Sequence, residues 1–246
     1  MYKLNFNLLS MNIPLYVQVK QRITEELVSG KWRAGDMIPS EIELANDFKV
    51  SQGTVRKAID ALSNEKILVR RQGKGTYVTT HDEEQIQLRF LRLTSTKGHK
   101  EKLESELFSF KKIRSSSYVA KQLNLIPGSP VFQIKRLLTF DKKPLILDEI
   151  YISSSAFKGL NEEMINQKKG SLYRLYESRY GVQMLKANEK IKAVAAGDEV
   201  SKLLSIPKKT PILSIERLSY TYGEKPVEWR LGLCLTENYH YQTELE

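Results

Sequence analysis

A short basic stretch, SNEKILVRRQGKGTYVTT at residues 63–80, holds side chains whose chemistry can be assigned from their types and spacing. Arg70, Arg71 and Lys74 can neutralise phosphate groups. Gly73 and Gly75 flank the lysine, and glycine tolerates positive φ and leaves room for a close backbone approach. β-forming residues on both sides predict a hairpin with the glycines at its tip. Such a hairpin is typical of a surface that approaches a polyanion.

A second polar set lies in the segment before this hairpin. Ser51 can cap a helix whose buried stripe is Val55, Ala58, Ile59 and Leu62. The start and opposite face of this helix collect polar or small residues: Ser51, Gln52, Gly53, Thr54, Arg56 and Lys57. A helix fits the major groove of DNA, where arginine can bond a guanine edge and glutamine an adenine edge, while hydroxyls and amides at its start bond phosphates.

Two further helices must position these residues. Leu15, Val19, Ile23 and Leu27 recur every four positions, which predicts a first helix beginning at Pro14 and stopping before Gly30. A second, short helix begins with the capping-box pair Ser40 and Glu43, and we include Ser40 among the candidate DNA contacts. Helix, turn, helix and hairpin in this order predict a winged helix-turn-helix. Each piece alone could be solvated surface, but the ordered combination favours DNA binding.

Composition bounds the remaining possibilities. The chain has 246 residues, 41% of them hydrophobic, and a net charge of +10, which favours anionic partners. One cysteine excludes an internal disulfide, and three scattered histidines give no metal-ligand spacing. No apolar run is long enough for a membrane span, and the start lacks a signal-peptide pattern. These features predict a cytoplasmic protein with no membrane contact, catalytic residue, metal or cofactor.

The second half alternates strands with short helices and repeats itself weakly. Residues 122–147 parallel residues 203–229, each with a short helix, a strand, a Lys-Pro turn and a return strand. Arg136 and Arg217 occupy corresponding places. Two such hairpins can pair into one antiparallel sheet, which predicts a mixed α/β (α+β) chain. We expect a DNA-binding domain at 12–79, a linker at 80–87 and an effector domain at 88–246.

Three separated residues of this half are candidates for a ligand site. Arg136 falls on an otherwise apolar strand face, where it must pair with a carboxylate or a ligand anion. Ser171 precedes a short helix and can act as its N-cap or mark an anion site. Glu228 shares a strand face with Arg230, Gly232 and Cys234, which could floor a pocket or face solvent.

Taken together, these motifs resemble a known family. IPLYVQV, GDMIPSEIELANDFKVSQGTVRKAIDAL and RRQGKGTYV resemble the winged helix of GntR-type regulators, with Ile42 and Gln52 where the family usually has arginine. GSPVFQIKRL, GSLYRLYESRYG and KTPILSIERLSYTYGEKPVEW resemble the UTRA effector domain of the HutC subfamily, which has a chorismate-lyase-like fold.

The resemblance implies functional positions as well. It implies a repressor that binds double-stranded operator DNA as a homodimer and responds to a sugar phosphate or small carboxylate. It assigns effector contacts to Arg136, Ser171, Glu228 and an acid at Asp148, or at Glu149 if the register slips by one. Leu138 and Cys234 depart from the residues of relatives that bind amino-sugar phosphates, so a smaller or less charged anion is also open.

Two other functions stay open on the sequence. One is a chorismate-lyase-like enzyme fused to a DNA-binding domain, although no nucleophile–base pair or phosphate-cradling loop supports it. The other is a sequence-neutral architectural DNA binder, which leaves the second domain unexplained.

Overall fold

The chain is described by a computed structural model that covers residues 13–80, 92–96, 103–167 and 172–243. It divides into two compact units, Met1–Thr80 and His81–Glu246. Residues 81–87 of the expected linker lie outside the described residues. No helix within the described residues is long and apolar enough to cross a membrane.

The first unit begins with three helices whose limits follow from their caps: α1 Leu15–Val28, α2 Glu41–Phe48 and α3 Gln52–Asn64. Pro14 immediately precedes α1 instead of occupying its first turn. The predicted capping box is present, with Ser40 accepting from the Glu43 amide at 3.3 Å and Glu43 accepting from the Ser40 amide at 2.8 Å. Ser51 caps α3 by accepting from the Thr54 amide at 3.2 Å.

The core of this unit lies between α1 and α3. The predicted stripes are buried except at Leu15, the first residue of α1, which is 57% exposed. The buried members are Val19, Ile23 and Leu27 from α1, and Val55, Ala58, Ile59 and Leu62 from α3. The predicted hairpin follows as β1, Leu68–Arg71, paired antiparallel with β2, Gly75–Val78. Gly73 and Gly75 have φ of +69° and +103°, a region that side chains with a Cβ rarely adopt. The winged helix-turn-helix prediction is confirmed.

The second unit is built on strands. Within its described residues they are β3 Leu93–Ser95, β4 Leu103–Arg114, β5 Pro130–Phe140, β6 Lys143–Ser153, β7 Lys186–Ala195, β8 Pro211–Thr221, β9 Lys225–Leu235 and β10 Tyr239–Tyr241. Its helices there are α4 Ser117–Gln122, α5 Glu162–Gln167, α6 Leu172–Tyr180 and α7 Asp198–Leu204, with a 3-10 turn at Tyr222–Glu224. Six strands form an antiparallel sheet in the order β4-β5-β6-β9-β8-β7, and β3 pairs separately with β10.

The internal repeat accounts for this topology. One half is β4-α4-β5-β6 and the other is β7-α7-β8-β9, and the two hairpins join where β6 pairs with β9. Arg136 and Arg217 lie on the corresponding strands β5 and β8, as the repeat predicts. The α+β prediction for the chain is therefore confirmed.

One face of the sheet carries two apolar clusters with a polar gap between them. Phe132 and Ile134 of β5 pack in a cluster with α5 and α6. Farther along the same strand, Leu138 and Phe140 pack with Leu93 of β3 and with β10. Arg136 lies between these clusters and is itself buried. The gap brings charged side chains into the interior of the unit.

Candidate DNA-binding surface and ligand pocket

The predicted DNA contacts lie at the surface of the first unit. Apart from the partly buried Thr54, all of them are exposed: Ser40, Ser51, Gln52, Gly53, Arg56, Lys57, Arg70, Arg71, Gly73, Lys74 and Gly75. They come from the starts of α2 and α3, the exposed face of α3, and the hairpin. One compact unit therefore carries both the predicted base-reading residues and the predicted phosphate contacts.

Glu41, the first residue of α2, connects three of these side chains. Its carboxylate accepts from Arg56 Nε at 2.9 Å and from Arg70 Nη2 at 2.9 Å. Gln52 Nε2 donates to the same group at 3.4 Å. Arg70 also pairs with Asp60 through Nη1 at 2.7 Å. This role is not evident from the sequence, because an acid in a first helical turn already has a local explanation in the helix dipole.

The hairpin tip is tightly constrained at one of its two glycines. A Cβ at Gly73 would meet nothing within 4 Å, whereas a Cβ at Gly75 would lie 3.2 Å from Met37 Sδ. Arg71 lies with its guanidinium carbon 4.4 Å from the centre of the Tyr77 ring, a cation–π contact within the hairpin. Gly75 therefore has both a conformational and a steric reason to be glycine.

Gly75→Val should lower DNA affinity on the order of tenfold, because a β-branched residue at this φ costs about 1–2 kcal/mol and displaces the hairpin tip. The measurement is a titration of labelled duplex with the full chain. Gly159→Val is the control, since Gly159 has a similar φ of +83° but belongs to the second unit. Equal DNA affinity in the two variants would contradict a role for the hairpin in binding DNA.

A small pocket lies in the polar gap of the second unit. Its wall combines apolar and charged side chains: Arg92, Leu93, Leu138, Ile146, Asp148, Ile215, Arg217, Arg230, Gly232, Cys234 and Tyr241. Three arginines against one aspartate give this wall an excess of positive charge.

Arg230 joins two buried carboxylates beside the pocket. It donates to Glu228 through Nε at 3.1 Å and to Asp148 through Nη1 at 3.3 Å. Arg136 donates to the same Asp148 oxygen, Oδ2, through Nε at 3.0 Å and Nη2 at 2.9 Å. Burial alone would raise the pKa of Asp148, but the guanidinium groups of Arg230 and Arg136 outweigh burial and hold that pKa below its usual value. Asp148 is therefore ionised at neutral pH.

Arg217 and Arg230 face each other across the paired strands β8 and β9. Arg217 is held by Glu189 of β7, whose Oε1 lies 2.6 Å from its Nε. Tyr241 donates to the other oxygen of Glu189. Two guanidinium groups are thus kept side by side in the wall of the pocket by carboxylates that lie behind them.

The two carboxylate oxygens of Asp148 have different surroundings. Its hydrogen bonds in the described structure all use Oδ2, while Oδ1 lies beside Gly232, where an added Cβ would come within 3.3 Å. Cys234 also lines the pocket, and burial raises the pKa of its thiol, which is therefore neutral. The wall offers an acceptor and two guanidinium groups.

The predicted effector contacts are distributed unevenly around this pocket. Asp148 lines it, and it is Asp148 rather than Glu149 that pairs with Arg136. Arg136 and Glu228 lie behind the lining, with Glu228 fully buried and accepting from Tyr173 of α6 at 2.9 Å. Ser171 lies outside the described residues. Arg230 lies at the centre of this network. The sequence pattern identifies it only as a residue on the same strand face as Glu228.

The two units correspond to two known families. Residues 15–78 match the family "Bacterial regulatory proteins, gntR family", and residues 98–240 match the "UTRA domain". The chain is 30% identical, over 87% of each chain, to the "Probable fructoselysine utilization operon transcriptional repressor" of Escherichia coli K12. It is 29% identical to the mannosyl-D-glycerate transport/metabolism system repressor MngR of the same organism, over 93% of this chain and 94% of the relative.

A solved structure supports the fold of the second unit. The ligand-binding domain of a protein from Bordetella bronchiseptica assigned to the GntR family superposes with a TM-score of 0.63 at 38% identity, over 64% of this chain and 98% of that one. The sequence relatives are named repressors and regulators, not enzymes. The interpretation as a regulator is confirmed over the enzyme alternative.

Proposed function

We propose binding sites for DNA and for a metabolite on this chain, which belongs to the GntR family of transcriptional regulators and carries a UTRA domain. Such a chain is a DNA-binding repressor controlled by a metabolite. Operator DNA binds to α3 and the β1–β2 hairpin. A small anionic metabolite, a sugar phosphate or a small carboxylate, binds in the pocket of the second unit. The observation that carries the effector assignment is the pocket wall with three arginines and one aspartate.

The DNA assignment is supported by the shape and charge of the first unit. α3 exposes Arg56 and Gln52 along the face opposite its buried stripe, as a recognition helix must. The hairpin adds Arg71 and Lys74 beside two positive-φ glycines, which suits close approach to a phosphate backbone. The exposed side chains supply direct base readout and phosphate contacts together, which a sequence-neutral binder does not need.

The effector assignment is supported by the chemistry of the wall. Arg217 and Arg230 line the pocket with guanidinium groups, which suit contact with phosphate or carboxylate. Asp148 Oδ1 can accept from a hydroxyl or ammonium group, and Leu138, Ile146 and Ile215 suit a carbon skeleton. One relative is named for mannosyl-D-glycerate transport and metabolism, which supports a sugar-derived effector.

Assembly follows from the way a winged helix reads DNA. One recognition helix covers a short half-site, and a two-fold dimer covers two half-sites. We infer that the protein acts as a homodimer on a two-fold symmetric operator, in the cytoplasm where a bacterial regulator meets its DNA. Competition between a selected duplex and random-sequence duplex tests the DNA part of the proposal, and equal affinity for both would contradict it.

The effector pocket is tested by a matched pair of arginine variants. Arg217→Lys should weaken the response to the effector about tenfold, because lysine keeps the charge but loses the guanidinium group that lines the pocket. Arg136→Lys should change it much less, because Arg136 lies behind Asp148. The measurement is the melting temperature of the full chain with phosphorylated sugars and small carboxylates, and with neutral sugars as controls.

Two outcomes of this screen would contradict the assignment. In one, neutral sugars stabilise the wild-type protein and no anion does. In the other, an anion stabilises it but both lysine variants respond as wild type does. In either case the ligand does not bind to Arg217.

A further inference from the structure

The charged residues of the first unit include two acids on a surface proposed to bind a polyanion. Glu41 contacts Arg56 and Arg70, and Asp60 contacts Arg70 alone. Exposed ion pairs contribute little to stability, so their contacts do not explain why acids stand beside phosphate-binding groups. An acid there weakens attraction to every duplex equally, whatever its sequence. For Glu41 the helix dipole accounts for an acid at this position, but not for its contacts with Arg56 and Arg70.

We propose that Glu41 is a positioning residue that orients Arg56 for reading bases and so contributes to sequence selectivity. The inference rests on the proposed role of Arg56 as a DNA contact. Glu41 engages Arg56 at Nε, and no other polar contact of Arg56 occurs within the described residues. Both Nη groups thus stay available as the paired donors that a guanine edge accepts.

Glu41 is itself held in place from several sides. It is the first residue of α2, directly after the capping box, and its side chain is only 19% exposed. Arg70 donates to the other carboxylate oxygen of Glu41, and Asp60 pairs with the second Nη group of Arg70. The Arg56 side chain, in contrast, is 57% exposed, and it would be flexible if Glu41 did not pair with it. Ordering a long side chain before binding removes an entropic cost from the bound state.

The position of Glu41 also affects base recognition and attraction to phosphates differently. Gln52 donates to the same carboxylate, so the two α3 side chains with base-reading chemistry share one anchor outside their own helix. A carboxylate near the groove disfavours loose binding to phosphates, in which Arg56 would turn toward the backbone. Glu41 therefore lowers affinity for all DNA and lowers it least for the sequence that Arg56 fits.

The test compares Glu41→Gln with Asp60→Asn in the full chain. Both substitutions remove one negative charge beside Arg70, but only the first releases Arg56. Selectivity is the ratio of the Kd for a random-sequence duplex to the Kd for a duplex selected by the wild-type protein from a random library. We expect this ratio to fall about tenfold in Glu41→Gln, the effect of one weakened base contact, and less than about twofold in Asp60→Asn.

Glu41→Asp separates charge from position. It keeps the charge but has a shorter reach, so it should match the wild-type affinity for random duplex while losing selectivity as Glu41→Gln does. In an Arg56→Ala background, Glu41→Gln should cause no further loss of selectivity. Melting temperatures of all variants within a few degrees of wild type will show that folding is not the cause.

Several outcomes would overturn the inference. Wild-type selectivity in Glu41→Gln would show that Glu41 does not contribute to selectivity, and wild-type selectivity in Glu41→Asp would show that it acts by charge alone. An equal loss in Asp60→Asn would assign the effect to charge near Arg70. If Arg56→Ala keeps full selectivity, the proposed role of Arg56 fails first. A selectivity defect in Arg56→Ala beside a normal Glu41→Gln protein contradicts only the inference about Glu41.

Discussion

Arg230→Ala should lower the free energy of unfolding of the second unit by about 3–5 kcal/mol at neutral pH, because it leaves buried carboxylates without their shared cation. Arg230 forms ion pairs with both Glu228, which is fully buried, and Asp148, which is 3% exposed. For a unit of this size the loss corresponds to a melting temperature lower by roughly 6–20 °C. Thermal and urea unfolding of the full chain, followed separately for the two units, measure it.

The pH dependence of this loss identifies its cause. The pKa of Asp148 is lowered in the folded protein, so its ionised form adds stability above its unfolded pKa, and that stability is lost as the pH falls through the folded value. Without Arg230 this pKa rises, because Arg136 alone then pairs with Asp148, and protonation relieves part of the charge that Arg230 balanced. The gap between variant and wild type should therefore narrow toward about pH 4.

A surface arginine supplies the control for Arg230. Arg114→Ala removes an exposed arginine from β4 of the same sheet and should cost less than about 1 kcal/mol. Among the described residues, Arg114 bonds only the Gly128 carbonyl, at 3.4 Å. An Arg230→Ala protein as stable as Arg114→Ala at every pH would show that the buried network contributes no stability.

Arg56→Ala should weaken binding to a selected operator by about 1–3 kcal/mol, roughly 5- to 150-fold, while affinity for random duplex falls much less. The reason is that Arg56 presents its Nη groups from the exposed face of α3, where a lost base contact matters only for the right sequence. Lys57→Ala is the matched control on the next residue. It should weaken binding to all duplexes alike. It should also reduce the slope of log K against log salt concentration by about the amount expected for one phosphate contact.

The contrast between neighbours makes the Arg56 prediction specific. Equal losses on selected and random duplex in Arg56→Ala would reassign Arg56 to phosphate binding. Unchanged affinity for both would remove it from the interface. In each case circular dichroism of the variant establishes that α3 is folded.

Local chemistry in the sequence was enough to predict the first unit. Caps at Ser40 and Ser51, the apolar stripes, and the glycines of the hairpin depend on residues within a few positions of each other. Glu41 could not be predicted in the same way, since its contacts reach 11, 15 and 29 residues along the chain. Because the helix dipole already explains an acid at this position, the sequence pattern does not indicate that Glu41 also contacts distant residues.

The second unit shows a similar limit at longer range. Strand alternation correctly placed Arg136 on the face that carries the buried apolar residues of β5, and the repeat correctly joined the two hairpins. Alternation says which residues share a face but not what covers it. Burial of Glu228 under Tyr173 depends on α6, more than fifty residues away in the chain. Contact between Arg230 and Asp148 depends on the register of β6 and β9, which no local pattern encodes.

The junction between the two repeats has a mechanical consequence. The halves meet along one strand pair, residues 146–152 of β6 with 228–234 of β9, and the pocket carries Asp148 from one half and Arg217 and Arg230 from the other. A molecule that contacts both sides fixes the twist between the halves. The outermost strands β4 and β7 lie about 12 Å from this junction at ~4.8 Å per strand, so a rotation of about 10° moves them by roughly 2 Å. Occupancy of the pocket can therefore change the alignment of β4 and β7, which are the sheet edges among the described strands, and a sheet edge is where another chain can pair.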